Sequence, residues 1–333
     1  MRVETSRGRA VLWLGGPHRA LSTLPAPPVV EAVAFAQVAR DFDGDYLKYA
    51  EGIGREVGAP AVVFLTAAEL PEAFSYAEEG PVAAAATVAM TPPSCVGTIN
   101  VAVIANAPLS RWGMADLLRT AVEAKCVAAV DSLLRCNGRR AGGTVTDAVA
   151  VLVPADKPEE VHFAGPATEL GRRASRLVYS LVRRGDNFDL FERVLVKREE
   201  FISIFKKALE KAPLPVSDGE IAEALDNVLK DPNVWALILA AAELDALGAA
   251  GAIPGLAAEE YRADTARVVA DELLGVALAD YLGGFNAVLA TYWVERLKKR
   301  GAFPELPMFS DDVLSALIAG VYLSLYRKKY SPG

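Results

Sequence analysis

Histidine is almost missing: His18 and His162 are the only two among 333 residues, and both fall in the first half. A His-rich zinc site in the second half is therefore excluded. The three cysteines, Cys95, Cys126 and Cys136, have no CxxC spacing and make no evident even set of disulfides, which suits a reducing cytoplasm. Basic residues are not in excess either. The 35 Lys and Arg against 42 Asp and Glu leave a formal charge of -7, with no general attraction to nucleic acid or anionic lipid. No apolar run is long enough to span a bilayer; the longest, Val313 to Tyr326, is broken by Ser315, Gly320 and Ser324. The opening MRVETSRGR lacks the apolar core of a signal peptide. The expectation is a soluble, cytoplasmic protein that acts on small molecules, without nucleic acid or membrane insertion, and able to form a homo-oligomer. Gln occurs once, at Gln37, Asn is sparse and Pro is plentiful, a composition that leans towards a thermophile.

What is present divides the chain in two. The first half alternates short Val- and Ala-rich segments with helical patterns. Strands are expected at Arg9–Leu14, Val29–Val38, Ala61–Leu65, Ala86–Met90, Ile99–Ala105 and Ala148–Val153, and helices at Gly113–Arg135 and Leu170–Arg184. This predicts an α/β domain with a layered sheet and helices over residues 1–186. After Gly185 the pattern becomes all-α, with helices expected at Phe191–Lys211, Ser217–Leu229, Val234–Leu247, Asp264–Leu282, Phe285–Lys299 and Ser310–Tyr326. That makes 187–333 a helical domain, joined by a short linker near Arg184–Phe188.

The densest chemistry of the first half lies between Thr87 and Asp147. Thr98 and Asn100 open a strand, Asn106 follows it, and Thr144, Thr146 and Asp147 enter the next strand. Polar groups at strand ends gather on the rim of a sheet, where α/β sites usually lie; Gly-Thr turns and the strand preference of Thr also explain the pattern. Lys125 is less easily explained. At roughly 100° per residue it falls within about 20° of Met114, in the middle of an apolar stripe. A lysine there must snorkel, find a carboxylate or lower its pKa. Glu123 points the other way, within reach of Arg119 at i−4, which fits a solvated helix face.

The blocks GTINVAVIANAPLSRWGMADLLRTAVEAK, GGTVTDAVAVLV, FLTAAEL (Phe64–Leu70), ATVAMTPP (Ala86–Pro93) and HFAGPATELGR (His162–Arg172) together resemble the adenosylcobinamide amidohydrolase family, in its order and over nearly all of 1–185. The resemblance implies hydrolysis of the amide that joins adenosylcobyric acid to aminopropanol. Gly97–Leu109 is also similar to the nucleophile region of aminopeptidases related to D-aminopeptidase. That likeness implies Thr98 as nucleophile. Its base would be Thr98's own amine if the chain were cut before it, or otherwise Lys125, with Asp147 and the Thr144 and Thr146 hydroxyls assisting and Asn106 at the site. Thr66, Asn100, Glu123 and Thr144 are the expected substrate contacts, and the residues of this half point to no particular cofactor. ATVAMTPP lacks the upstream Asn with which such enzymes hold an oxyanion. The alternative is a Thr-dependent peptidase or acyltransferase. A corrinoid carrier is disfavoured by the lack of a DxHxxG pattern.

In the second half, carboxylates interrupt apolar helices. Asp264, Asp271 and Glu272 lie in a segment apolar nearly all round, which reads as buried, and Glu243 and Asp245 interrupt WALILAAAELDAL. Asp311 and Asp312 follow Ser310, which by itself fits an N-cap with acids in the first turn. Taken jointly, the carboxylates suggest an all-oxygen site for Mg²⁺ or Mn²⁺. DTARVVADELLG and KKRGAFPELPMFSDDVLSALIAG resemble the phosphatidylglycerophosphatase A family, and within it the archaeal α-ribazole-phosphate phosphatases, over about 190–330. The resemblance implies a metal-dependent phosphatase with Asp264, Asp271, Glu272, Asp311 and Asp312 as ligands, Glu243 and Asp245 as companions, and Lys298 and Lys299 facing the phosphate. Arg300 replaces a proline common in relatives before Gly301. Partnership with an amidohydrolase of corrinoids favours α-ribazole 5′-phosphate, a nucleotide-like phosphate; phosphatidylglycerophosphate is the alternative.

Overall fold

The computed structural model describes residues 1–90, 95–301 and 303–330. The last three residues of the Ala86–Pro93 motif, and Ala302, lie outside the described residues. The chain divides into two compact units, Met1–Phe188 and Asp189–Gly333.

The first unit runs β1 (Arg2–Ser6), β2 (Arg9–Ser22), β3 (Val29–Gln37), α1 (Tyr46–Val57), β4 (Ala61–Thr66), β5 (Phe74–Glu79), β6 (Val82–Met90), β7 (Gly97–Ala105), α2 (Arg111–Asp131), β8 (Arg135–Cys136), β9 (Arg139–Arg140), β10 (Ala148–Pro154) and α3 (Glu169–Gly185). The main sheet has the order β4-β3-β2-β10-β7-β6-β5, with β1 beside the first half of β2. The β3–β4 and β7–β10 ladders are parallel and the others antiparallel. This is the α/β architecture expected from the strand and helix patterning. β1, β5 and α1 go beyond the expected elements, because FSYAEE and RVETS have little β-branched, apolar alternation.

Alternation along the strands divides the apolar residues between the sheet's two faces. On one face, Phe35 and Phe64 stack, and Phe35 also meets Phe74 from β5 edge-on at 5.3 Å. Those strands are far apart in the ladder order, so the sheet coils over this face. The alanines at Ala83, Ala85 and Ala102 leave room for it. On the other face, α2 and α3 cover β6, β7 and β10, and α1 covers β3 and β4. Strands buried on both faces read as continuous apolar runs, which is why they were legible in the sequence.

One expectation is overturned here: Cys95 and Cys136, 41 residues apart, form a disulfide, leaving Cys126 free. Sequence spacing hides the pairing because β8, which carries Cys136, is brought back towards the start of β7. Val145 N donates to Cys95 O in the same region.

The second unit is all-helical: α4 (Leu190–Val194), α5 (Arg198–Leu209), α6 (Asp218–Val228), α7 (Pro232–Ala249), α8 (Ala258–Arg262), α9 (Ala270–Gly283), α10 (Phe285–Lys298) and α11 (Met308–Tyr330). The helix expected over Phe191–Lys211 is broken at Leu195–Lys197. The one expected from Asp264 starts only at Ala270. Asp264 instead adopts a left-handed φ of 50° in a loop that Arg267 ties to Glu260 and Gly255. α11 is the central helix, packed on α6, α7, α9 and α10. Its 23 residues are long and apolar enough to cross a bilayer by length and composition, but 78% of that window is buried within the protein. α9 is not buried all round: Leu273 is 64% exposed.

Glycines set the α9–α11 approach. A Cβ on Gly275 would lie 2.9 Å from Asp312 O, and one on Gly320 would overlap Leu282. The two helices therefore run parallel at close range, with their amino-terminal turns side by side. α10 returns antiparallel after the Gly283–Gly284 turn and brings its carboxyl end to the same place.

Candidate functional site

In the first unit, Thr98 opens β7 and Asp147 immediately precedes β10. The parallel register sets Asn100 opposite Ala148, so both residues lie at the amino ends of neighbouring strands. Gly97 is required here because a Cβ would overlap Ala89 O of the adjoining strand.

Thr146 Oγ1 lies 2.7 Å from Gly97 O and must donate to it, since a carbonyl only accepts. Thr146 Oγ1 therefore accepts from Thr98 Oγ1, also 2.7 Å away, and the Thr98 proton points at Thr146. Thr98 is only 6% exposed.

Asp147 is saturated by donors. Its carboxylate accepts from Ile99 N at 2.8 Å, Thr144 N at 3.1 Å, Thr144 Oγ1 at 2.6 Å and Lys125 Nζ. Lys125 also donates to Gly142 O at 3.2 Å. Of the three fates open to a lysine in an apolar stripe, this one has found a carboxylate. Lys125, expected as a base, is placed as a donor to Asp147 and Gly142 O. The buried ion pair instead holds Ile99 N, and with it the peptide that carries Thr98. Gly143, which the sequence did not single out, is part of this arrangement because a Cβ there would overlap both Asp147 Oδ2 and Lys125 Nζ.

Lys125→Met should therefore weaken the fold as well as the site. Stripping the partner from a buried carboxylate costs about 3–5 kcal/mol, reduced here by the remaining donors. Gly143→Ala should act in the same direction at about 1–3 kcal/mol through overpacking. Thermal melts of both variants beside the wild type check this, and an unshifted transition for Lys125→Met would remove the ion pair as a structural element.

Other expected residues do not join this cluster. Asn106 follows the last residue of β7, eight residues from Thr98 and so about 26 Å away along an extended strand; its carbonyl accepts from Lys157 Nζ at 3.3 Å. Asn100 is buried, its amide donating to Leu65 O at 3.0 Å and to Thr87 Oγ1 at 3.4 Å, which pins β7 to β4 and β6. Thr66 Oγ1 accepts from Ala68 N and closes the end of β4. Asn100 and Thr66 are thus corrected from substrate contacts to buried structural groups. Glu123 pairs with Arg119 on the surface of α2 at 2.6 Å and borders a groove between α2 and α3 with Arg176 and Tyr179. That groove is not lined by Thr98 or Asp147.

In the second unit, the amino-terminal turns of α9 and α11 bring Asp271, Glu272, Asp311 and Asp312 together. Positive helix ends favour carboxylates in these turns. The carboxyl end of α10 adds Glu295 and Lys298. Lys298 Nζ bonds Asp311 and lies 3.5 Å from Glu295 and 3.7 Å from Asp312. Burial pushes the Asp312 carboxyl up to about 7, with Glu295, Asp271 and Asp311 adding to the effect of burial and Lys298 opposing it. Burial also raises Asp311 and Glu272. Burial would lower Lys298, but the hydrogen bond to Asp311 together with the charges of Asp311, Glu295 and Asp312 outweighs it and raises it. Asp271 Oδ1 is buried with no hydrogen-bond partner. Glu295 was missed in the sequence reading, although its i,i+3 spacing to Lys298 on one helix was available.

Asp245 is corrected from a companion of these acids to a structural group. Its carboxylate accepts from Phe309 N and Ser310 N at 2.9 Å, from Ser310 Oγ at 2.5 Å and from the Tyr261 hydroxyl at 2.8 Å, so it satisfies the amino end of α11. Ser310 lies inside the helix and is not its N-cap. Glu243 lies two positions away on the same helix, roughly 200° round from Asp245. Asp264 is exposed in its loop, and Lys299 is exposed at the end of α10. Among the described residues, no three His, Cys, Asp or Glu side chains already converge as a ligand set.

The α/β unit thus carries a hydroxyl pair, Thr98 and Thr146, beside a buried ion pair, Lys125 and Asp147. A model of the adenosylcobinamide amidohydrolase family, CbiZ, matches residues 2–187, and the chain belongs to that family. An uncharacterized protein of Methanocaldococcus jannaschii, MJ1330, is 34% identical over 112 residues, covering 32% of this chain and 84% of that protein. The crystal structure of low temperature requirement C protein from Listeria monocytogenes is similar at a TM-score of 0.36 and 16% identity, covering 41% of this chain and 89% of that one.

Proposed function

We propose that the protein carries two hydrolytic activities of corrinoid salvage. The first unit cleaves adenosylcobinamide to adenosylcobyric acid and aminopropanol. The second removes phosphate from α-ribazole 5′-phosphate. The observation that carries the first is the Thr98–Thr146 hydroxyl pair, fixed through Ile99 N by the Lys125–Asp147 ion pair. Thr98 Oγ1 attacks the amide carbonyl, aminopropanol leaves with a proton, and water releases the corrinoid acid.

The orphaned Asp271 Oδ1 supports the second activity. Asp271 and Asp311 are buried, Asp312 and Glu295 half-buried and Glu272 exposed. Lys298 is the cation that pairs with Asp311, Asp312 and Glu295, which leaves an excess of negative charge that a divalent cation would neutralise. The donors are all oxygen, which fits Mg²⁺ or Mn²⁺. Asp271, Asp311, Asp312 and Glu272 would hold the ion. When bound, it would polarise the phosphoryl oxygens and activate water. Lys298 would turn from the carboxylates to the phosphate.

The purified protein should release aminopropanol from adenosylcobinamide without added metal, and phosphate from α-ribazole 5′-phosphate only with Mg²⁺ or Mn²⁺. Activity on phosphatidylglycerophosphate alone would replace the second substrate, and no corrinoid turnover would remove the first.

A pH dependence follows. Asp312 titrates near 7 in the folded state, against 3.8 for an ordinary aspartate, so between these values the fold binds more protons than the unfolded chain. Metal-free stability from this group is full below about 4 and is lost as pH rises through 7. Over that window the metal-free wild type should therefore lose stability relative to Asp312→Asn, and Mg²⁺ should shrink the difference. Metal-free melts of the two proteins that keep a constant separation from about pH 4 to 7 would contradict the cluster's electrostatics.

A further inference from the structure

α9 and α10 lay their buried sides on α11 and turn an apolar face outward. Leu273 and Val276 on α9 continue into Phe285, Leu289, Tyr292 and Trp293 on α10, at helical spacings of three and four. All six are exposed, from 42% for Val276 to 71% for Phe285. Arg296 lies over the Tyr292 and Trp293 rings, 5.8 Å and 6.0 Å from their centroids, so the only cation on the α10 stripe is folded onto its aromatics. Singly exposed apolar residues are ordinary, but a contiguous face of this size marks an interface.

We propose that this face is the contact between two copies of this chain, related by a two-fold axis. Two observations select that occupant. The six large apolar side chains are each more than two-fifths exposed, the kind of surface that forms the core of a standard stable interface, to which each partner brings ~800 Å². The face also carries its own complement. Phe285 is the most exposed of the six, and its neighbour Asn286 borders a groove of about 510 Å³ lined by Leu289, Trp293, Tyr322, Tyr326 and one cation, Arg327. A two-fold contact needs such a knob and hole on a single surface, since each residue meets its counterpart's neighbour. Charge argues against the competing occupant, an anionic lipid surface. The second unit carries 22 Asp and Glu against 16 Lys and Arg, and membrane-surface faces need basic residues.

The face adjoins the acidic cluster, because Glu272 precedes Leu273 and Glu295 precedes Arg296. Pairing would therefore enclose one side of the proposed metal site without supplying any of its ligands. The inference does not depend on the phosphatase reading, since its test measures mass and not turnover.

Light scattering on the full chain at tens of micromolar should give about twice the 35.4 kDa chain mass. Phe285→Asp and Leu273→Glu should each shift it towards the single-chain value, with unchanged helical circular dichroism because both sites are exposed. Val127→Glu, at a position exposed on the first unit, should leave the dimer intact. A wild-type monomer overturns the proposal, as does a dimer that survives both face variants. Co-flotation of a monomeric wild type with phosphatidylglycerol vesicles would overturn it in favour of a lipid-facing surface.

Discussion

Asp271→Asn should lower phosphate release by on the order of 10²-fold or more, the scale on which one electrostatic partner of a transition state acts, and raise the Mg²⁺ concentration needed for half activity. Metal-free stability should move the other way. Asp271 Oδ1 is buried and unbonded, and its charge adds to the effect of burial that raises Asp312 to about 7. An amide of the same shape removes that charge without opening a cavity. A carboxylate held by hydrogen bonds would behave oppositely and destabilise when replaced, as Asp245→Asn should with its four donors. Melts of both variants with and without Mg²⁺ separate the cases. Equal stabilisation of wild type and Asp271→Asn by Mg²⁺ would sink the metal assignment of this residue. Amide hydrolysis should be untouched.

Thr98→Ala should abolish amide hydrolysis, by roughly three orders of magnitude or more if Thr98 is the nucleophile, while phosphate release persists. The lost hydrogen bond to Thr146 costs only about 1 kcal/mol, so the fold should survive and the two effects stay distinct. Thr98→Ser restores the hydroxyl and should recover much of the rate. Thr146→Val is the companion measurement. It keeps shape, removes the acceptor of the Thr98 proton and should lower turnover more than substrate affinity. Near-normal hydrolysis by Thr98→Ala would take Thr98 out of the mechanism and leave the Lys125–Asp147 pair as a purely structural element.

The position of Lys125 inside an apolar stripe was legible because it follows from helical period alone. Its partner was not. Asp147 lies 22 residues on, and only the parallel pairing of β7 with β10 brings it beneath the helix. The same limit misplaced Asn106, since a strand end and a strand start look alike in a sequence but lie at opposite edges of the sheet. Asn100 and Thr66 looked available to a substrate because polar residues in a strand do not reveal whether a carbonyl such as Leu65 O awaits them. Asp245 was grouped with the other acids for a comparable reason: the backbone amides it satisfies belong to residues more than sixty positions away.

The sequence by itself determined most of the elements, though not β1, β5, α1 or the break between α4 and α5. Apolar runs of Val and Ala, and helices of Ala and Leu bounded by Gly and Pro, depend on interactions within a few residues, so local pattern suffices to place them. It also marked Gly97–Thr98 and Asp311–Asp312 as unusual. The tertiary structure alone decided which polar groups share a site. Gly275 and Gly320 let α9 and α11 pack in close parallel contact, which places two acidic helix starts side by side and turns Leu273 and Val276 outward. In the other unit, the parallel β7–β10 ladder sets Thr98 beside Thr146. These outcomes depend on close approach between segments distant in sequence, a quantity that no local period encodes.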